Sequence, residues 1–352
     1  MYSFKPEVLD RLTSHGISRA LGFVHETRGK QDLYEQKKPE VLEALRKVAI
    51  IESTESSSRI ENVEVSPDFL REVKKGKESL NFSNRSEEEF AGYLAALNVL
   101  HENNDAMPFS TNVVLQIHRD LMQFTSDAGG VWKNAPNDIV EKKADGSKIV
   151  IAETTKPHLV AKQMQELHGA YTYAIAENKI DPLICIALYI LDFLCIHPFS
   201  DGNGRTVRLI TVLLLYHQNY RMVRYVSLER LIEETKESYY ETLNESDRQW
   251  HDGGKHNPMP WVEYFLGILV AASKQFTANV ESMDDPYGSK ARLTLAAIDD
   301  LPSEFSISDL AYKCPGVSRI TLNNILRKQK EEGRLVSIGK GRSAKWRKTD
   351  KT

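Results

Sequence analysis

Apolar positions recur at helical spacing over most of the chain. From Pro39, the residues Val41, Leu42, Leu45, Val48 and Ala49 fall three and four apart, which predicts a helix ending near Asn62. Ser86 and the three glutamates after it place negative charge in a first turn, and FAGYLAALNVL supplies the apolar face of that second helix. Ser110 or Thr111 caps VVLQIHRDLMQF, whose His118 reads as a packed helix residue rather than a ligand. Asp181-Pro182 provides a cap and a first-turn proline for LICIALYILDFLCI, a run apolar on every side and therefore a buried central helix. After Arg205, LITVLLLYHQN resumes the helical pattern, Ser227 caps LERLIEETKESYYETLNES, and WVEYFLGILVAASKQF follows as an amphipathic helix. Residues 1–35 show no strong period: PEVLDRL reads as a short helix and GFVHETRGKQDLY as a segment draped on the core. Between Gly129 and Pro157 the period changes. There VWKNAPNDIVEKK and SKIVIAETT are β-prone and flank the turn signal Ala144-Asp145-Gly146, which predicts a hairpin.

Between the central helix and its successor lies HPFSDGNGRTVR, residues 197–208. Pro198 and Gly202-Asn203-Gly204 interrupt the helical pattern, so the stretch is a tight loop that opens a helix. Such a loop aims backbone N–H groups and a helix N-terminus into one concavity suited to phosphate oxygens. Arg205 and Arg208 stand three apart in the first helical turn, where the macrodipole disfavours cations, so a resident polyanion is the simplest compensation. Asp201 beside a phosphate nest implies a bridging hard cation such as Mg²⁺. His197 has the proton affinity of a general base acting on a hydroxyl. Each residue alone is more often structural than functional; their coincidence within one loop points to transfer from a nucleotide.

The stretch resembles the Fic family signature His-x-Phe-x-Asp/Glu-Gly-Asn-Gly-Arg-x-x-Arg, and every specified position is present. The resemblance implies a protein adenylyltransferase, in which His197 deprotonates a Ser, Thr or Tyr hydroxyl that attacks the α-phosphate of ATP. It implies Asp201 as the Mg²⁺ ligand, Gly202, Asn203 and Gly204 as the phosphate cradle, and Arg205 and Arg208 on the β- and γ-phosphates. Upstream, Ser57, Glu61 and Asn62 match Ser/Thr-x-x-x-Glu-Gly/Asn, which resembles the family's inhibitory motif in the class that carries it N-terminally. A carboxylate paired with Arg208 would obstruct the γ-phosphate. The hairpin at 129–157 resembles the family's flap, which adds a strand of the target protein, although its polar sequence departs from the Pro-rich flap end of relatives. Tyr240, rather than Tyr239, is the expected neighbour of the nucleotide base.

Residues 291–352 follow a different pattern. LTLAAID, ISDLAYK, a turn at CPGVS, the helix TLNNILRKQKEEG and two β-prone pieces, RLVSIG and SAKWRK, follow winged-helix order. Twelve cations and three acids between 313 and 352 give +9, so the remainder carries −12 against the total of −3. A basic module on an acidic body suits DNA phosphates, but winged helices also dock proteins, and both occupants stay open. The 352 residues, 41% hydrophobic and 27% charged, exceed one ordinary domain. Cys185, Cys195 and Cys314 show no metal-binding spacing and read as reduced core thiols, and the N-terminus lacks an export signal, so a cytoplasmic location is expected. The run at 183–196 contains Asp192 and is too short to span a bilayer, so no membrane partner is expected.

The expected architecture is mainly α. An N-terminal helical region at 1–110 carries the inhibitory helix, a Fic-like core with its flap occupies 111–280, a linker 281–290, and a winged helix-turn-helix domain 291–352. ATP and an unidentified target protein are the expected partners, with a homodimer compatible. Two other readings remain: a Fic enzyme using another nucleotide or removing AMP, and a DNA-binding regulator that uses the core as a nucleotide sensor. The intact His197 and Asp201 speak against the second.

Overall fold

A computed structural model describes residues 1–37, 39–76, 80–142, 148–281, 288–314, 317–339 and 345–349. In chain order these form α1 (Pro6–Leu9), α2 (His15–Lys37), α3 (Pro39–Ile60), α4 (Pro67–Lys74), α5 (Arg85–Asn103) and α6 (Thr111–Leu121). The hairpin β1 (Ile139–Lys142) and β2 (Lys148–Ala152) comes next, then α7 (Pro157–Glu177), α8 (Pro182–Ile196), α9 (Asn203–His217), α10 (Leu228–Glu234), α11 (Lys236–Asp247) and α12 (Met259–Glu281). The C-terminal part consists of α13 (Gly288–Asp300), β3 (Glu304–Ser306), α14 (Ile307–Lys313), α15 (Arg319–Glu331), β4 (Leu335–Ile338) and β5 (Lys345–Lys348). The chain divides into two units, Met1–Gly29 with Ile50–Ser273, and Lys30–Ala49 with Lys274–Thr352.

The first unit is organised around α8. The Asp181 side chain accepts the Leu183 N–H at 2.9 Å, Pro182 occupies the first turn, and every residue from Leu183 to Ile196 is buried. A helix apolar all round is stable only when covered on every side. Here α7 and α9 flank it, and α9 in turn packs on α5 and α6. Gly92 permits the α5–α6 approach, since a Cβ at that position would stand 2.0 Å from the Leu121 carbonyl oxygen.

Several elements follow the periodicity closely. Helix α3 stops at Ile60, and the chain turns away at Asn62, whose φ of 58° is the left-handed conformation Asn tolerates better than most residues. Ser110 caps α6 and Ser227 caps α10, each accepting an N–H three residues on. Other expectations need correction. The segment expected to drape over the core is part of α2, a 23-residue helix whose buried positions are Ile17, Val24, Thr27, Gln31 and Tyr34. Two of those stripe positions are polar, which hides the period. The expected single helix after Ser227 is two, α10 and α11, divided at Thr235, whose hydroxyl turns back to the Leu231 carbonyl. Helix α9 begins at Asn203, which puts Arg205 in its first turn as expected, and Gly202, at φ 75°, serves as its N-cap.

The hairpin pairs antiparallel, with Val140 opposite Val150 and a bulge between Ile139 and Val140; its expected turn at Ala144-Asp145-Gly146 lies outside the described residues. In the second unit, α13, α14 and α15 enclose Ile298, Leu310, Leu322 and Leu326 with Phe305 and Leu335. Its sheet has the order β3-β5-β4, both pairs antiparallel. Strand β3 is three residues long, too short for periodicity to reveal. The expected turn positions Pro315 and Gly316, residues 340–344 and most of the 281–290 segment lie outside the described residues. Among the described residues no helix is long and apolar enough to cross a membrane.

Candidate active site

The loop between α8 and α9 is built by its own side chains. His197 ends α8 at φ 52°, with its N–H still bonded to the Phe193 carbonyl at 2.9 Å. The Asn203 amide bonds both ways to Phe199, accepting its N–H at 2.9 Å and donating to its carbonyl at 2.7 Å. The Asn203 side chain is therefore committed to holding the turn. Phe199 lies flat on His118, with ring centroids 3.7 Å apart. His118 accepts the Gly130 N–H at Nδ1, which leaves Nε2 to donate to the Asp201 carbonyl at 3.1 Å. Burial pulls its pKa down to about 4, so the ring is a neutral prop for the loop.

Carboxylates meet both arginines at the start of α9. Arg208, 4% exposed, donates to Glu61 Oε1 at 2.9 Å, to Ser57 Oγ at 3.1 Å and to the Ser57 carbonyl at 3.2 Å. Arg205, also buried, pairs with Glu89 at 2.7 Å and with Asp201 at 3.5 Å. The compensation inferred from the sequence is thus supplied here by internal carboxylates. It is incomplete: Arg208 Nη1 and Arg205 Nε are buried without a hydrogen-bond partner. Buried guanidinium N–H groups left open are costly, and a further anion would satisfy them. The Glu61 carboxylate also covers Gly204, standing 2.3 Å from where a Cβ would project.

Asp201 faces two ways. Oδ1 accepts the Gly202 N–H at 2.6 Å, and Oδ2 meets Arg85 at 2.9 Å. Arg85 also pairs with Asp127 at 2.6 Å and Glu89 at 2.5 Å. Among the described residues no group of three or more His, Cys, Asp and Glu side chains could hold a metal by itself. A single half-exposed carboxylate next to an anion cradle is the donor set Mg²⁺ uses when nucleotide phosphates and water complete its shell, so Asp201 fits that ion once Arg85 yields Oδ2.

His197 is held in its neutral form. Burial and the nearby Lys133 cation pull its pKa down to about 4, against the opposing pull of the Leu194 backbone, Glu61 and Asp201. A neutral imidazole is the form that accepts a proton. Tyr240 lies beside Glu61 and Arg208, 37% exposed, with its hydroxyl 3.5 Å from the Ile60 carbonyl, whereas Tyr239 is buried. Asn62 accepts from Lys236 at 3.0 Å. The structure therefore gathers Ser57, Glu61, Arg208 and Tyr240 at one end of the loop and Asp201 and Arg205 at the other. Sequence patterns do not single out Arg85, Glu89, Lys133 or Asn137, because their role comes only from long-range pairing.

Residues 108–215 match the model of the Fic/DOC family. A Fido domain-containing protein of Dictyostelium discoideum is 29% identical over 125 residues, covering 36% of this chain and 82% of that protein. A Fic family protein from Desulfovibrio desulfuricans has a similar fold, with TM-score 0.60 and 23% identity over 97% of this chain and 98% of that one. A Fic domain-containing signaling protein from Bacteroides thetaiotaomicron superposes with TM-score 0.59 and 21% identity over 74% of this chain and 97% of that one. The matched segment, residues 108–215, contains the helix–loop–helix of α8 and α9, and the solved structures share its fold.

Proposed function

We propose that the protein is an adenylyltransferase that moves AMP from ATP to a Ser, Thr or Tyr hydroxyl of a target protein and is held inactive by Glu61. The observation that carries this reading is the pair of unsatisfied buried donors, Arg208 Nη1 and Arg205 Nε, beside a glycine loop that a carboxylate covers. The glutamate stands where a phosphate oxygen would be bound. When Glu61 leaves, the backbone at Gly202–Gly204 and the two guanidiniums receive the triphosphate. His197 takes the proton of the target hydroxyl, whose oxygen forms the new bond to the α-phosphorus as the bond to the β-phosphate oxygen breaks and pyrophosphate departs. Mg²⁺ at Asp201, when bound, neutralises phosphate charge. Tyr240 flanks the base.

The target strand lies along the β1–β2 hairpin, whose open edges offer unpaired backbone groups. We read α13–α15 with the β3-β5-β4 sheet as a winged-helix module, and the excess of cations between 313 and 352 suits DNA phosphates. Incubating the Glu61→Gly protein with α-labelled ATP and a cell lysate tests the enzymatic reading. Label should enter protein in a His197-dependent way, and absence of label from the Glu61→Gly protein sinks it.

A further inference from the structure

Lys133 precedes β1, is 3% exposed, and has no carboxylate in ion-pair contact among the described residues. Sequestering an ammonium without a paired carboxylate is costly, and burial pulls its pKa down to about 8 against the weaker opposing pull of Asp138. Its bonds show where the cation is engaged. Nζ donates to Asn137 Oδ1 at 2.5 Å and to Thr154 Oγ1 at 2.8 Å. Asn137 stands two residues before β1 and Thr154 two residues after β2, so one ammonium joins both feet of the hairpin, alongside the direct bonds of Thr154 to Asp138 at 2.9 Å and to Asn137 at 3.1 Å. The same feet are fastened to the loop around His197. The Lys133 N–H bonds the Pro198 carbonyl at 2.9 Å, the Asn137 amide the Phe199 carbonyl at 2.7 Å, and the Thr155 N–H the Ile196 carbonyl at 3.3 Å.

We propose that Lys133 is a positioning residue that locks the β1–β2 hairpin to the backbone on both sides of His197, so that a strand laid on the hairpin presents its hydroxyl to the imidazole. The benefit to catalysis rests on the adenylyltransferase reading; the clamp itself does not. A plain structural lysine would be replaceable by any side chain that fills the space, whereas a clamp needs a multivalent donor at this point. The charge has a second effect. Lys133 from the loop before β1 disfavours the His197 imidazolium, while Glu61 from the turn after α3 and Asp201 from the 197–208 loop favour it.

Hydrogen exchange on the full chain, with Lys133→Met, Lys133→Arg and Thr154→Val, tests the clamp without nucleotide. In Lys133→Met the peptides spanning 134–138 and 153–156 should exchange roughly tenfold faster or more, as expected when charge-assisted bonds are removed, while α8 and α9 stay protected. The His197 imidazole, followed by NMR against a His197→Gln control, should titrate higher in Lys133→Met. Lys133→Arg should restore the slow exchange and the low titration. Thr154→Val should loosen the feet without moving His197, and it decides the matter if Lys133→Met does not fold. Unchanged exchange at the feet, or equal loosening of α8 and α9, overturns the proposal. A protein that transfers no AMP yet shows the expected exchange would remove the functional reading and leave the clamp.

Discussion

Glu61 Oε1 lies 2.9 Å from Arg208 Nη2, joining the residue just past α3 to the first turns of α9. The arginine is buried and the carboxylate about a third exposed, so the acid can leave while the base stays in place. If this pair holds the protein inactive, Glu61→Gly frees a guanidinium for the γ-phosphate. A charge-assisted bond is worth about 1.5–3 kcal/mol, which is about ten- to a hundredfold in productive occupancy. Arg208→Ala should abolish activity, and the double variant should resemble Arg208→Ala alone, because the freed site then has no arginine to offer. Steady-state rates for the four proteins decide it; a double variant as active as Glu61→Gly would show that Arg208 is not the contested group.

Gly204 makes a separate prediction. An alanine methyl there would stand 2.3 Å from Glu61 Oε1 and 3.2 Å from Arg208 Nη1, so the carboxylate must move. The same methyl would fill space the phosphates need. Gly204→Ala should therefore loosen Glu61 without the activation expected of Glu61→Gly, and in the Glu61→Gly background it should lower ATP affinity. Isothermal titration with ATP checks this, and an unchanged affinity would mean that phosphates bind clear of Gly204.

His197 should respond to charge in a defined direction. Its pKa of about 4 means that the imidazole is neutral above that pH and gains its proton only as pH falls through 4. Glu61 and Asp201 favour the imidazolium, so Glu61→Gly should move the titration lower still, whereas bound phosphates, as new anions, should move it higher. NMR of the His197 ring in the Glu61→Gly protein, with and without a non-hydrolysable ATP analogue, measures both shifts. An analogue that leaves the midpoint unmoved would place its phosphates away from the imidazole.

The loop chemistry is legible in the sequence because its residues are contiguous. His197, Asp201, Gly202 and Arg208 sit within twelve positions, and a central helix of unbroken apolar residues announces where they must stand. Glu61 is also legible, through a motif, although its partner lies 147 residues away. The Arg85–Glu89–Arg205 chain and the Lys133 clamp are not. Glu89 reads as an ordinary first-turn acid, and Lys133 as one surface cation among many, until tertiary contacts bury them. Helix α2 escapes for a related reason, since Thr27 and Gln31 occupy its buried stripe and break the hydrophobic pattern on which helix recognition depends.

The C-terminal module offers the last prediction. Helix α15 buries Leu322, Leu326 and Gln329 and exposes Arg319, Ile320, Asn323, Asn324, Arg327 and Lys328 on its other side, with Ile320 at 75%. Cations and amides around an exposed apolar side chain suit a DNA groove, where phosphates are neutralised and base edges are touched. If phosphates supply the affinity, log K for a duplex should fall linearly with log salt, and replacing Arg327 and Lys328 together by alanine should reduce the slope by roughly two, about one for each phosphate no longer neutralised. The core of the module is on the opposite face of α15, so these substitutions should leave its unfolding temperature close to that of the parent protein. Mobility shifts of the full chain across a salt series measure the slope. A chain that shifts no DNA even at low salt would turn this face over to a protein partner, and a slope unchanged by the double substitution would move the DNA-binding surface elsewhere on the module.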